Sequence, residues 1–309
     1  MGAAGRPHPV TTATAAAPLD APRALAGIGL VVGASACFGA LDTTSKLVSA
    51  SVPLLMALWF RYLFQAVATT ALVLPLRGRQ VWRTRHLAWQ LVRGMLLLTS
   101  SFLALLALRY LPVGEFTAIV MITPLVITLL AASVLKERVS PLRWALVAGG
   151  FAGTLVIIRP GAGSFGWTSL LPLALVACNA WFQVLTSRLA RTEDPVTMHL
   201  YTGWTGTLVA SVLVPLVWTA VPNPWLWAGM AFMGLMGTIG HFALILAYYR
   251  APAATLTPYL YSQIGFAMLG GVLVFSHVPD HLSLAGIVMI AVCGAAGAWL
   301  TVLERRAAA

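Results

Sequence analysis

Ten apolar stretches, five followed by five more, constrain this chain more than any other feature in it. The second five echo the first about 140 residues later: Phe102, Leu106, Ala107, Pro112 and Thr117 are matched in spacing by Phe242, Leu246, Ala247, Pro252 and Thr257. The echo continues through Leu129/Leu269 and Val134/Val274, then fades where Lys136 stands opposite Ser276. A bilayer core takes about 20 apolar residues per helix. Runs of that kind predict spans near 26–47, 54–76, 87–109, 113–135, 141–158, 166–187, 197–219, 226–249, 253–275 and 283–303. An odd number of spans per copy makes the two copies enter the membrane from opposite sides. The expected fold is an all-α integral membrane protein of ten transmembrane helices, built as two inverted five-helix repeats, 26–158 and 166–303. Many secondary transporters have this architecture, with a binding site where the halves meet.

Composition leaves no room for a soluble domain. Sixty per cent of the residues are hydrophobic and nine per cent charged, against roughly 25% charged in ordinary soluble domains. Residues 1–25 are rich in Ala, Thr and Pro without an apolar segment, which predicts a disordered tail and no cleaved signal. The break between the copies falls around Arg159 to Trp167, where Pro160, Gly161, Gly163 and Gly166 interrupt the pattern.

The net charge of +11 invites a nucleic-acid reading that its distribution rules out. With a cytoplasmic N-terminus, the inner segments hold Arg6, Arg23, Arg77, Arg79, Arg83, Arg85, Lys136, Arg138, Arg143, Arg188, Arg191, Arg250, Arg305 and Arg306. The outer ends hold Lys46, Arg109 and Arg159, while Arg61 and Arg93 fall inside spans. That bias is the positive-inside pattern. It places both termini in the cytoplasm and gives no reason to invoke DNA.

Cys37, Cys178 and Cys293 lie singly inside predicted spans, in no metal-binding spacing, and read as small buried hydrophobes. No metal site or cofactor is expected. GxxxxGK[ST], HExxH and GxSxG are all absent from the sequence, so neither a P-loop pump nor a hydrolase is indicated. Gly149/Gly153 and the set Gly234, Gly237 and Gly240 have close-packing spacing.

An ionisable group inside the membrane costs roughly 2.5–3.5 kcal/mol at a helix centre, so each needs a reason. Asp42 and Lys46 stand one turn apart near the outer end of the first span, and Arg61 lies about two turns inside the second. Glu115 begins the fourth span. These four either gather in an outer cavity, or Asp42 pairs locally with Lys46 and Glu115 caps its helix; Arg61 lies too deep for the interface and reads as cavity-facing, pairing Asp42 or holding an anionic group. Arg93, two turns into the third span, is expected to snorkel toward the cytoplasm. His241, near the middle of the eighth, is either a packing histidine or a proton relay. Thr255, Tyr259, Ser262/Gln263 and Phe266 fall on one face of a continuous ninth helix, and Asn179, Gln183 and Ser187 form a similar face on the sixth; such stripes either line a cavity or bond helix to helix. The candidate substrate-binding residues are therefore Asp42, Arg61, Glu115, Gln183, His241, Tyr259, Gln263 and Phe266.

These residues carry a resemblance. Asp42-Thr-Thr-Ser-Lys46, Arg61-Tyr62, Ala107-Leu-Arg-Tyr-Leu-Pro112, Pro124 and Glu137-Arg138 mark the first copy. Gln183-Val-Leu-Thr-Ser-Arg188, Ala247-Tyr-Tyr-Arg-Ala-Pro252 and Pro258-Tyr-Leu-Tyr-Ser-Gln263 mark the second. In order and spacing they resemble the EamA-type repeats of the drug/metabolite transporter superfamily over nearly all of 26–303. His277 departs from the Glu that such repeats often carry and that Glu137 keeps, so this loop position differs between the copies. The resemblance implies a secondary transporter of small organic metabolites, amino acids or related compounds, in the bacterial inner membrane. It implies alternating access without ATP. Its partners would be a small-molecule substrate and membrane lipid, with Asp42, Glu115 and His241 as the groups for any proton coupling. The rival readings are a non-transporting membrane scaffold and an intramembrane enzyme.

The charge bias makes a direct prediction. A cysteine placed in the Arg77–His86 segment should resist an impermeant thiol reagent in intact cells, and one placed at Asn223 should react. The reverse labelling would overturn the orientation.

Overall fold

The computed structural model describes residues 21–110, 119–158, 167–276 and 280–306. These residues form ten helices of 11 or more residues and no strand. They are α1 (Ala21–Ser49), α2 (Leu54–Arg77), α3 (Leu87–Tyr110), α4 (Thr123–Ser133), α5 (Pro141–Ile158), α6 (Leu170–Leu189), α7 (Pro195–Leu213), α8 (Pro224–Arg250), α9 (Ser262–Phe275) and α10 (His281–Arg306). Among the described residues, eight helical segments are long and apolar enough to cross a membrane, and Thr123–Ser133 is a shorter apolar helix. The chain is a multi-pass membrane protein. Each predicted span overlaps one of these helices, although α1 starts at Ala21 and not at 26. Residues 113–118 of the fourth predicted span lie outside the described residues.

Local chemistry fixes several helix starts. Asp194 caps α7 by accepting from the amides of Val196 and Thr197, with Pro195 in the first turn. Asn223 caps α8 in the same way from Trp225 N–H, followed by Pro224. The ninth span departs from the expected continuous helix. It runs as a single turn, Ala253–Leu256, then a 3-10 segment, Thr257–Tyr261, and only then α9. Pro258 has no N–H to continue the α-helical ladder. The tighter segment turns about 20° more per residue than an α-helix, so residues before and after it no longer share one face.

Helix pairing joins the first five helices to the second five. α1 packs on α8 and α9, and α6 packs on α3 and α4. α2 meets α7 and α8, α7 meets α2 and α3, and α5 meets α10. Exchanging each helix of the first five for its counterpart in the second leaves these pairings unchanged.

Glycines set how close the pairs come. A Cβ on Gly153 would stand 2.9 Å from the Gly286 carbonyl oxygen, and one on Gly94 2.6 Å from Thr205 Cβ. The Gly149/Gly153 spacing thus serves close packing of α5 on α10. Cys37, Cys178 and Cys293 are free thiols in half-buried positions.

The two ends of the bundle differ. Where α1 begins, Ala24, Ile28 and Val31 of α1, Val184, Leu185 and Leu189 of α6, and Leu244 and Tyr248 of α8 form one apolar cluster. Loop carboxylates clamp the same end. Glu193 accepts from Thr84 Oγ1 and from the amides of Arg85 and His86. Asp194 pairs with Arg77 at 3.0 Å. Glu137 pairs with Arg191 at 3.1 Å and accepts from Ala254 N–H at 3.1 Å. Burial raises the Glu137 pKa, against the lowering effect of the Ala254 amide and the Arg191 charge. At the opposite end Asp42 and Lys46 are exposed and Arg61 is half-buried.

Two glycines should respond oppositely to alanine. At Gly206 a methyl group would overlap the Tyr62 ring of α2, so Gly206→Ala should destabilise by roughly 1–3 kcal/mol. At Gly33, exposed on α1 with nothing within 4 Å of an added Cβ, alanine should gain up to about 1 kcal/mol. Thermal unfolding in detergent measures both.

Candidate functional site

At the open end, helices of both halves bring polar groups together. Gln263 Nε2 of α9 donates to Asp42 Oδ2 of α1 at 2.9 Å. This seam is tight, because a Cβ on Gly39 of α1 would stand 2.8 Å from Phe266 Cβ. Among the described residues Asp42 is in no ion pair. Lys46 does not turn back to it; its ammonium lies 4.7 Å from the Phe275 ring.

Arg61 reaches inward from α2. Its Nη2 donates to Ser101 Oγ of α3 at 2.8 Å, and its guanidinium lies 4.9 Å from the Tyr62 ring. Gly237 of α8 makes room for the arm, since a Cβ there would be 3.3 Å from Arg61 Cγ. Arg61, Ser45, Leu54, Ala57, Leu58 and Met233 line a cavity of about 40 Å³. That volume admits a water but not a metabolite.

One turn deeper, three rings lie across the bundle. His241 of α8 is 4.8 Å from the Phe38 ring of α1 and 6.2 Å, edge to face, from the Phe182 ring of α6. Among the described residues its buried Nδ1 has no hydrogen-bond partner, so a group that enters the bundle to this depth would meet an unused nitrogen.

The remaining candidates fall elsewhere. Gln183 accepts from Tyr248 O–H at 2.6 Å and donates to Asn179 Oδ1 at 2.7 Å, which commits its amide to joining α6 and α8. Tyr259, turned by the 3-10 segment, packs on α10, where its hydroxyl would stand 3.0 Å from a Cβ on Gly297. It does not share the Gln263 face. Glu115 lies outside the described residues.

Sequence reasoning missed Arg93. It does not snorkel; it is fully buried among α3, α6 and α7. Its Nη2 donates to the Met198 carbonyl and, at 2.6 Å, to Thr202 Oγ1. Its Nη1 donates to Thr186 Oγ1 at 3.4 Å, and the guanidinium lies 5.5 Å from the Phe182 ring. All its acceptors are neutral. Gln90, one turn earlier on the same face, is buried with neither amide atom partnered among the described residues. The signal was readable: Gln90, Arg93, Gly94 and Leu97 form an i, i+3, i+4, i+7 face, while Leu91, Val92 and Met95 are exposed on the other.

A buried charge and its hydrogen bonds have separable energies. Arg93→Met removes the desolvated charge and should leave thermal stability equal or higher. Thr202→Val keeps the charge, removes its closest side-chain acceptor and should cost about 1–3 kcal/mol. Thermal unfolding of the two variants checks the order. The reverse order would mean that the arginine's bonds outweigh its desolvation.

Known proteins share this arrangement. A solved crystal structure superposes with a TM-score of 0.73 at 21% identity, over 93% of this chain and 99% of its own, which shows a common fold. The riboflavin transporter of Vibrio cholerae is 29% identical over 230 residues, covering 74% of this chain and 77% of that protein. The S-adenosylmethionine uptake transporter of Rickettsia conorii is 24% identical over 267 residues, covering 86% and 90%. Residues 25–159 match the EamA-like transporter family.

Proposed function

We propose that this chain is a secondary carrier of small organic metabolites in a bacterial inner membrane, working by alternating access. The observation that carries the reading is the Asp42–Gln263 bond beside Arg61. One carboxylate, one guanidinium and one amide, drawn from α1, α2 and α9, converge at the open end of a bundle that is clamped at its other end. The exchange-invariant helix pairing supports two inverted five-helix repeats, 26–158 and 166–303, with the site at their seam. The positive-inside bias supports cytoplasmic termini. On that topology the clamped end is cytoplasmic and the open end faces outward.

Asp42 suits an ammonium group and Arg61 a carboxylate or other planar anion. Together they favour amino acids or related compounds. The family relatives named for riboflavin and S-adenosylmethionine show that relatives of this fold serve quite different solutes. Asp42 and His241 are the described groups to which we assign any proton coupling. The polar groups of the site make a purely structural scaffold the weaker reading.

Arg61→Ala should insert normally and lose most transport, at least tenfold, while Arg61→Lys should recover only part because the planar fork is gone. Asp42→Asn should weaken transport, and combining it with Gln263→Leu should cost less than the two single losses together, since the residues share one bond. Uptake into liposomes from a mixed metabolite pool, at matched protein levels, decides. Wild-type flux in Arg61→Ala would remove this site from the pathway.

A further inference from the structure

The segment between α2 and α3 carries charge that transport leaves unused. It leaves α2 at Gly78, whose φ of 58° is strained for any residue with a Cβ. It then runs as a 3-10 segment, Gly78–Trp82, to the start of α3. Its arginines Arg79, Arg83 and Arg85 are exposed. None of the three side chains has a hydrogen bond or ion pair among the described residues.

Such loops usually float, but this one is tied down along its length. Thr84 Oγ1 donates to Glu193 Oε2 at 2.9 Å, and the amides of Arg85 and His86 donate to Glu193 Oε1 at 2.9 and 3.0 Å. Thr197 Oγ1 donates to the Val81 carbonyl and Tyr201 O–H to the Trp82 carbonyl, each at 2.9 Å. The Trp82 ring stands edge-on to Tyr201 at 6.1 Å, as aromatic residues do at a membrane interface. The backbone is fixed and three cations are left free.

Apolar surface adjoins these cations. Leu72 and Leu76 near the end of α2 are 70% and 84% exposed, and Leu87 and Trp89 at the start of α3 are about half exposed. Exposed cations in the loop and exposed apolar side chains on the two helix ends that it joins suit an amphiphile, and a soluble anion would use only the cations. We propose that Arg79, Arg83 and Arg85 form a preorganised site for the headgroup of an anionic phospholipid of the cytoplasmic leaflet, with its acyl chains lying along Leu72, Leu76, Leu87 and Trp89. Fixing the loop in advance removes the ordering cost that a floating basic loop would meet on binding. Anionic lipid attracts juxtamembrane arginines of this kind. The inference rests on the chain's being embedded in a membrane and is independent of what it carries.

The test titrates the full-length purified chain in neutral detergent with phosphatidylglycerol, phosphatidylcholine or inorganic phosphate, following the melting temperature and counting bound lipid by native mass spectrometry. The wild type should show a saturable rise with phosphatidylglycerol alone. The triple variant Arg79→Gln/Arg83→Gln/Arg85→Gln should melt like the wild type without lipid and bind phosphatidylglycerol on the order of 100-fold more weakly. Arg250→Gln, which removes an exposed cation elsewhere, should bind normally. Glu193→Ala, which unties the loop but keeps the arginines, should weaken binding about tenfold through lost preorganisation. Equal stabilisation by phosphatidylcholine would mean that apolar contact alone suffices, and equal stabilisation by phosphate would mean a soluble-anion site. Either result, or undiminished lipid binding by the triple variant, overturns the proposal. Undiminished binding by Glu193→Ala overturns the claim of preorganisation.

Discussion

Inside lipid, one apolar helix gains little by packing on another, because the hydrocarbon it leaves is as apolar as the neighbour it meets. Association must come from close fit and from polar bonds that the bilayer cannot supply. This chain concentrates both on the seams between its first five helices and its second five. Gly206 lets the Tyr62 ring lie directly on α7. On either side of that contact, Trp59 Nε1 donates to Ser211 Oγ at 2.8 Å and Gln65 Nε2 to the His199 carbonyl at 3.1 Å. Gly94 admits Thr205 beside the buried Arg93, and Gly153 meets the Gly286 carbonyl. Bonds of this density hold the two groups of five together.

Position along the chain was legible, and direction around each helix much less so. Hydropathy placed the spans because the length a bilayer demands is independent of what a helix packs against. Facing depends on neighbours. Arg93 read as a snorkelling residue because its distance from the helix end allows either outcome. Only Thr186, Met198 and Thr202, supplied by two distant helices, turn it inward. Gln183 was identified as polar and interior, but its commitment to Tyr248 depends on α8 crossing at that level. The stripe on the ninth span failed for a local reason that the sequence did contain. Pro258 interrupts the ladder, so Tyr259 and Gln263, four residues apart, face different helices.

Asp42 and Gln263 show the converse. Asp42 was read either as cavity-facing or as paired with Lys46, and Gln263 as part of a polar stripe; their pairing needed only that α1 and α9 run side by side. The repeat pattern already suggested that such helices from different halves would meet at a central seam. What it lacked was any sign that Arg61 would find Ser101 instead of Asp42. A serine one helix away is an ordinary residue until the helices are in place.

The distribution of acidic side chains bears on how the molecule would move. Glu137, Glu193 and Asp194 all serve the clamped end, where each bonds across from one group of five helices to the other. Hydrogen bonds to charged groups contribute about 1.5–3 kcal/mol each when intact. Moving an equilibrium from 1:99 to 99:1 takes about 5.5 kcal/mol of differential binding. Under the carrier proposal, a few such bonds, with the half-exposed Arg77–Asp194 pair contributing least, would separate one preferred state from the other. Under the carrier proposal, a solute that engaged Asp42 and Arg61 more strongly in an occluded form would supply energy of the same order. The clamped end would then be sealed firmly enough to prevent leakage and weakly enough for one bound metabolite to open it.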